Sequence, residues 1–152
     1  MRIAIGCDEA GYEMKEAIKG LLNEKGHGVI DKGTYDTSPV NYPDIAVAVA
    51  KEIVAFHAER GVLICGTGIG MAISANKVPG IRAAVCHDPF STERSRKSND
   101  AQIMCMGARV IGIELAKYLV GLWLACDFDG GGSSVKVERI KEYEHEFMKS
   151  EE

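Results

Sequence analysis

Alternation is what most limits the folds open to this chain. Short apolar runs and helix-period segments take turns along its length. "RIAIGC" (2–7) reads as a strand, and the next segment sets Ala10, Met14, Ala17, Ile18, Leu21 and Leu22 on one helical face. "EKGHG" stops that helix with glycines, and "VIDKG" is a second short strand. The turn-rich stretch "TYDTSPVNYPD" leads into a helix through "IAVAVAKEIVAFHAE". "GVLICG", "IRAAVC" and "AQIMCMG" supply strands three to five, with helices over 69–77 and 89–98 between them. A helix through "IELAKYLVGLWLAC" puts Leu115, Leu119, Leu122 and Trp123 on one side. Strands that each await a helix before the next strand form a parallel sheet covered on both faces, so the fold class is α/β. No repeat, linker or low-complexity segment interrupts the pattern, and 152 residues that are 46% hydrophobic suit a single domain, 1–152, with one core.

The tail "SSVKVERIKEYEHEFMKS" opens with serines suited to capping a helix. It is highly charged, with Val137, Ile140, Tyr143 and Phe147 along one stripe. That stripe must be buried, either on its own domain or against a second subunit, and the pattern alone leaves both open.

The net charge of −4 and the lack of a basic run give nucleic acid or an anionic membrane little to bind. No apolar segment approaches the ~20 residues a membrane helix needs. Met1 runs straight into a strand, which leaves no room for a signal peptide. The five cysteines, Cys7, Cys65, Cys86, Cys105 and Cys126, are odd in number, widely spaced and free of any CxxC pair. They argue for a reducing, cytoplasmic setting and against a disulfide framework or a structural zinc site.

Ligands of parallel α/β sheets bind at the carboxyl ends of the strands. The residues expected there are Cys7, Asp8 and Glu9; Gly33, Thr34 and Tyr35, with Tyr42 beyond; Cys65, Gly66, Thr67, Gly68 and Gly70; Cys86, His87 and Asp88; and Gly107 and Arg109. The glycines of "CGTGIG" let backbone N–H groups face a ligand without a Cβ in the way, and they lie where a helix begins, which favours negative charge. The anion is a phosphate or an enediolate oxygen. A thiol in the same field gains thiolate character and can act as a base. Against this stand plainer readings. Strand-end cysteines are often small buried hydrophobes, the reading adopted for Cys7, Cys86, Cys105 and Cys126. A dinucleotide fingerprint belongs after the first strand, not the third, and no GK[ST] completes a Walker loop. Asp8, Cys65 and His87 lack metal-ligand spacing. His27, His57 and His145 fall on polar surfaces.

The blocks "GCDEAGYEMK", "DKGTYD…NYPD", "ICGTGIGMAISANKVPGIRAAVCHDPFS", "SNDAQIMCMGARVIGIELAK" and "FDGG" together resemble the family of type B ribose-5-phosphate isomerases and galactose-6-phosphate isomerases, in order and over nearly the whole chain. The resemblance implies a Rossmann-like three-layer sandwich with five parallel strands and a C-terminal helix. It implies a homodimer, or a homotetramer of two such dimers, with active sites at the subunit interface. It also implies metal-free, cofactor-free aldose–ketose isomerisation of a sugar phosphate through a cis-enediol. Carried across the motifs, Cys65 is the base that moves a proton between C1 and C2, and Thr67 is the hydroxyl beside it. The amides of Gly66, Gly68 and Gly70 form the anion hole, and Asp8 and Tyr42 contact sugar hydroxyls. Asn99 and Arg109 reach in from the partner.

Several positions depart from the family pattern. Glu9 stands where a histidine is usual, and its carboxylate repels a phosphate unless it points away and caps the first helix. Ser98 replaces the histidine that opens the sugar ring, and a serine of ordinary acidity is a poor general acid. The usual "GGRH" with a later arginine becomes Gly131, Gly132 and Ser133 with Lys136, so the phosphate is expected near Arg109 and Lys136, with Ser133 as a hydroxyl donor. A four-carbon 4-phosphate cannot close a furanose ring, so such a sugar stands beside ribose 5-phosphate as substrate. His87 is the other way to open a pentose ring. A non-catalytic sugar-phosphate-binding module and one subunit of a hetero-oligomeric isomerase are the remaining readings.

Overall fold

A computed structural model describes residues 1–149. Ser150, placed at the end of the tail helix, and the last two residues of the expected domain lie outside the described residues. The order is β1 (Arg2–Cys7), a 3-10 turn (Glu9–Gly11), α1 (Tyr12–Glu24), β2 (Gly28–Asp31), α2 (Tyr42–Val54), β3 (Arg60–Cys65), α3 (Ile69–Ala75), β4 (Ala83–Val85), α4 (Pro89–Lys97), β5 (Ile103–Gly107), α5 (Ile113–Leu124) and α6 (Gly132–Lys149). The five strands form one sheet in the order β2-β1-β3-β5-β4, with every pairing parallel.

Period-two alternation sorts the apolar side chains into two layers. Ile3, Ile5, Cys7, Val62, Ile64, Met104 and Met106 face α1 and α5, where Met14, Ile18, Leu22, Leu119 and Trp123 meet them. Ala4, Leu63, Cys65, Ile103 and Cys105 face α2 and α3, against Val49, Ile53, Met71 and Ala75. Cys7 and Cys65 therefore point to opposite sides of the sheet. β1 connects outward to β2, and the chain then crosses back to β3 on β1's other side. The topological switch thus lies between β1 and β3, where a ligand crevice belongs.

Three expectations shift. α2 begins at Tyr42, three residues before the expected start, because Pro43 sits well in a first helical turn. The buried side of α5 is Ala116, Leu119, Val120, Trp123 and Leu124, while Leu115 is exposed, so the apolar face is rotated from the one read from sequence. On α6 only Val137 is buried; Ile140, Tyr143 and Phe147 remain exposed. Own-domain burial of that stripe is not what the fold achieves.

The far end of the sheet is held by a buried cation. Arg60, 6% exposed, donates to the carbonyls of Trp123 and Cys126 at 2.9 Å each and to Asp127 Oδ1 at 2.9 Å. It thereby satisfies carbonyls that the end of α5 leaves without intrahelical partners.

Candidate active site

Cys65 ends β3 and is 5% exposed. Its Sγ accepts the amide N–H of Gly68 at 3.0 Å. Gly68 adopts φ +79°, a left-handed conformation that turns its N–H back onto the sulfur. Thr67, exposed beside it, accepts the Ile69 amide on Oγ1 at 3.2 Å. Two donors of this loop are thus turned onto Cys65 and Thr67 rather than outward.

The glycine at position 70 has a reason that sequence does not disclose. A Cβ there would lie 2.5 Å from Cζ and 2.6 Å from the hydroxyl oxygen of Tyr42. The first residue of α2 therefore lays its ring on the glycine loop. Gly107 works the same way from beneath. Its Cβ would sit 2.6 Å from Thr67 Cα, so only glycine lets the end of β5 pass under the loop. The Ala108 and Arg109 amides then donate to the carbonyls of Cys65 (2.8 Å) and Gly66 (3.0 Å).

Asp8 and Glu9 follow β1 at the switch point. Asp8 Oδ1 accepts the amides of Ala10 (3.0 Å) and Gly11 (3.2 Å), so Asp8, and not Glu9, caps the first turn. Burial, followed by the neighbouring Glu9 charge, pushes the Asp8 carboxyl up, against the pull of those amides and of Arg109. Glu9 reaches the other way and accepts the Val40 amide at 3.3 Å. It ties down the β2–α2 segment that delivers Tyr42.

Arg109 flanks its own chain's glycine loop: its Nη1 lies 3.6 Å from where a Gly66 Cβ would be, and its charge is felt by Asp8. His87 is also at this end. Its Nε2 accepts the Gly107 amide at 2.8 Å. Burial lowers its pKa, against the opposing charge of Asp88.

Ser98 and Asn99 lie at the opposite end of the strands. Ser98 caps the end of α4, and the Asn99 carbonyl accepts from Arg82 Nε at 3.0 Å just before β4 begins. Asp129 donates its amide to the Lys97 carbonyl at 3.1 Å, so the segment leading into α6, which carries Ser133 and Lys136 in its opening turns, leaves from that same end. The length of β5, roughly 13 Å over its four steps, separates Ser98 and Asn99 from Cys65 of the same chain.

Sequence reasoning missed Lys15. It is fully buried, with Nζ 2.9 Å from both oxygens of Asp31 and hydrogen-bonded to the Thr34 carbonyl, between the rings of Tyr12 and Tyr35. It fastens the start of the segment whose end Glu9 and Tyr42 fasten. The signal was present: Lys15, Ile18 and Leu22 share one helical stripe, an odd place for a charge. Among the other cysteines, burial pushes the Cys7 thiol up to about 11 and raises Cys86 and Cys105 too, which suits them to the core. Among the described residues no three His, Cys, Asp or Glu side chains gather as a ligand set, so Asp8, Cys65 and His87 do not form a metal cluster. No described helix is long and apolar enough to cross a membrane.

The pattern of the Ribose/Galactose Isomerase family matches residues 3–140. The chain belongs to that family. Within it, the chain is 53% identical over 148 residues to D-erythrulose-4-phosphate isomerase of Pectobacterium atrosepticum, covering 96% of this chain and 97% of that one. It is 55% identical over 142 residues to ribose-5-P isomerase B of Listeria innocua, covering 93% and 96%. The solved ribose-5-phosphate isomerase B of Clostridium thermocellum superposes with a TM-score of 0.95 at 44% identity, covering 97% of this chain and 99% of that one. The expected three-layer α/β architecture, with its five parallel strands, is the family's.

Proposed function

We propose that this chain is an aldose–ketose isomerase of sugar phosphates that works through a cis-enediolate, with Cys65 as the base. The observation that carries the reading is the Cys65 sulfur, bonded at 3.0 Å to the Gly68 amide under a glycine loop that Tyr42 and Arg109 flank. A proton beside a carbonyl is weakly acidic, so its removal needs a placed base and donors for the oxygen that becomes negative. Cys65 as thiolate takes the proton from C2 of the aldose and the C1 oxygen gains the charge; the C2 hydroxyl proton then passes to the C1 oxygen, and return of the proton from the Cys65 thiol to C1 gives the ketose. The unbonded faces of the Gly66–Gly70 loop and the Thr67 hydroxyl donate to that oxygen. Asp8 and Tyr42 hold sugar hydroxyls, and Arg109 attracts the phosphate.

The working form is a homodimer. Ser98 and Asn99 lie at the end of the strands opposite Cys65, and a second copy brings them, with Ser133 and Lys136, to the Cys65 loop. The exposed stripe on α6 supports the same assembly. The five cysteines are unpaired, in keeping with a cytoplasmic enzyme acting as one domain.

Relatives named for ribose 5-phosphate make that sugar the leading substrate. A four-carbon substrate is the second reading. It is favoured by the His87 Nε2 already engaged with Gly107, which leaves that nitrogen unable to open a ring, and by the relative named for D-erythrulose 4-phosphate. Incubation with four-, five- and six-carbon aldose phosphates in D₂O, following deuterium at C2, separates the readings by chain length. Cys65→Ala should fold normally and lose exchange by at least a thousandfold. Near-normal turnover by that variant removes Cys65 from the mechanism, and no exchange by the wild type with any sugar returns the binding-only module.

A further inference from the structure

We propose that His87 is a positioning residue, whose imidazole anchors the end of β5 beneath the Cys65 loop by accepting the Gly107 amide. The inference rests on the isomerase reading above and assigns His87 a role other than ring opening. β4 makes its last ladder bond where the Cys86 amide donates to the Cys105 carbonyl at 2.9 Å. A continued parallel ladder would offer Gly107 a carbonyl of the β4 strand next. The chain instead turns away into α4, and the His87 ring stands in for the missing acceptor at 2.8 Å. Gly107 is the register partner of Cys65.

Gly107 cannot shift without moving the site. The carbonyl of Gly66 lies 2.7 Å from where its Cβ would be, and the next two amides carry the Cys65 and Gly66 carbonyls at 2.8 and 3.0 Å. Arg109 leaves the same turn. Losing the His87 bond would free the one side of this turn that the glycine loop does not grip.

A backbone amide only donates, so Nε2 must be unprotonated and the ring proton sits on Nδ1. A protonated ring has no acceptor and must let Gly107 go. The charged and titratable groups around it are Asp88 on its own segment, Arg109 two residues past the anchored amide, and Cys65 across from that amide on β3. Burial of the ring favours the neutral form that the bond requires.

The test compares His87→Leu, which keeps bulk and loses the acceptor, with His87→Gln, whose amide oxygen reaches to about the same place. Two readouts are taken: hydrogen exchange at the Gly107 amide, and steady-state kinetics on D-ribose 5-phosphate and D-erythrose 4-phosphate. His87→Leu should exchange Gly107 at least tenfold faster and raise KM at least tenfold, with kcat less affected. His87→Gln should recover most of both, and its activity should lack the wild-type decline on the acid side of about pH 6.5. If His87→Gln is as impaired as His87→Leu, the imidazole does proton chemistry and the proposal fails. It fails equally if His87→Leu matches wild type. Should His87→Leu not fold, the comparison of His87→Gln with wild type decides alone. A wild type that turns over neither sugar refutes the isomerase reading, while the Gly107 exchange rate still shows whether His87 anchors the loop.

Discussion

Replacing Gly70 by alanine separates stability from catalysis, because the two should move in different directions. The new methyl would start 2.5 Å from Cζ and 2.6 Å from Cε2 of Tyr42, where carbon pairs normally sit at ~3.5–4.0 Å. Tyr42 is 38% exposed, so its ring end can swing outward by about 1 Å instead of forcing the backbone apart. Gly70 lies inside α3, where alanine is favoured over glycine by up to about 1 kcal/mol. The clash is relieved cheaply and the helix gains, so the melting temperature should stay within a few degrees of wild type. Catalysis should not be spared, since an error of about 1 Å in a positioned group can cost a hundredfold, or about 2.7 kcal/mol in the barrier. Ketose formation is measured for wild type, Gly70→Ala, Tyr42→Ala and the double variant. If Gly70 acts only by making room for the tyrosine, Gly70→Ala loses about a hundredfold in kcat/KM alone and less than twofold more on top of Tyr42→Ala. Full activity in Gly70→Ala, or an equal loss in both backgrounds, would show that the Tyr42–Gly70 contact is not what the glycine serves.

Two further outcomes concern stability. Arg60→Ala removes the buried guanidinium that donates to the Trp123 and Cys126 carbonyls and leaves them only the longer bonds from the Cys126 amide (3.2 Å) and Arg96 Nε (3.4 Å), so urea unfolding should record a loss of about 2 kcal/mol with little change in KM. Burial pushes the Asp31 carboxyl up, but the hydrogen bonds from Lys19, the Gly33 amide and Lys15 outweigh it and hold the pKa below the ordinary value of 3.8. A depressed carboxyl contributes stability that is complete above the unfolded-state pKa and is lost as the pH falls through the folded one. Wild-type melting temperature should therefore drop on acidification below about pH 4, and Asp31→Asn, already without that contribution at neutral pH, should show a shallower drop.

Much of the site could be read without coordinates because its signals are local. Cys65 at a strand end, the glycines that follow it and Asp8 after the first strand are all placed by their neighbours in the chain. Residues whose role depends on another element were less legible. Glu9 was expected either to face the phosphate or to cap α1, and it holds Val40. Lys15 carries no local signal beyond its place in an apolar stripe, yet its bond to the Thr34 carbonyl fastens the segment that leads to Tyr42.

By itself, the order of residues determined that strands and helices alternate, that the sheet is parallel and buried on both faces, and which loops follow the carboxyl ends of the strands. These follow from periodicities of two and 3.6 residues, which need only nearby chain. Tertiary structure alone decided that Cys65 faces α2 and α3 while Cys7 faces α1, that Tyr42 rests on Gly70, and that His87 completes the ladder at Gly107. It also set Ser98 and Asn99 at the end of the strands away from Cys65. Those facts depend on strand order and register, which join residues far apart in sequence and leave no repeat in the chain to announce them.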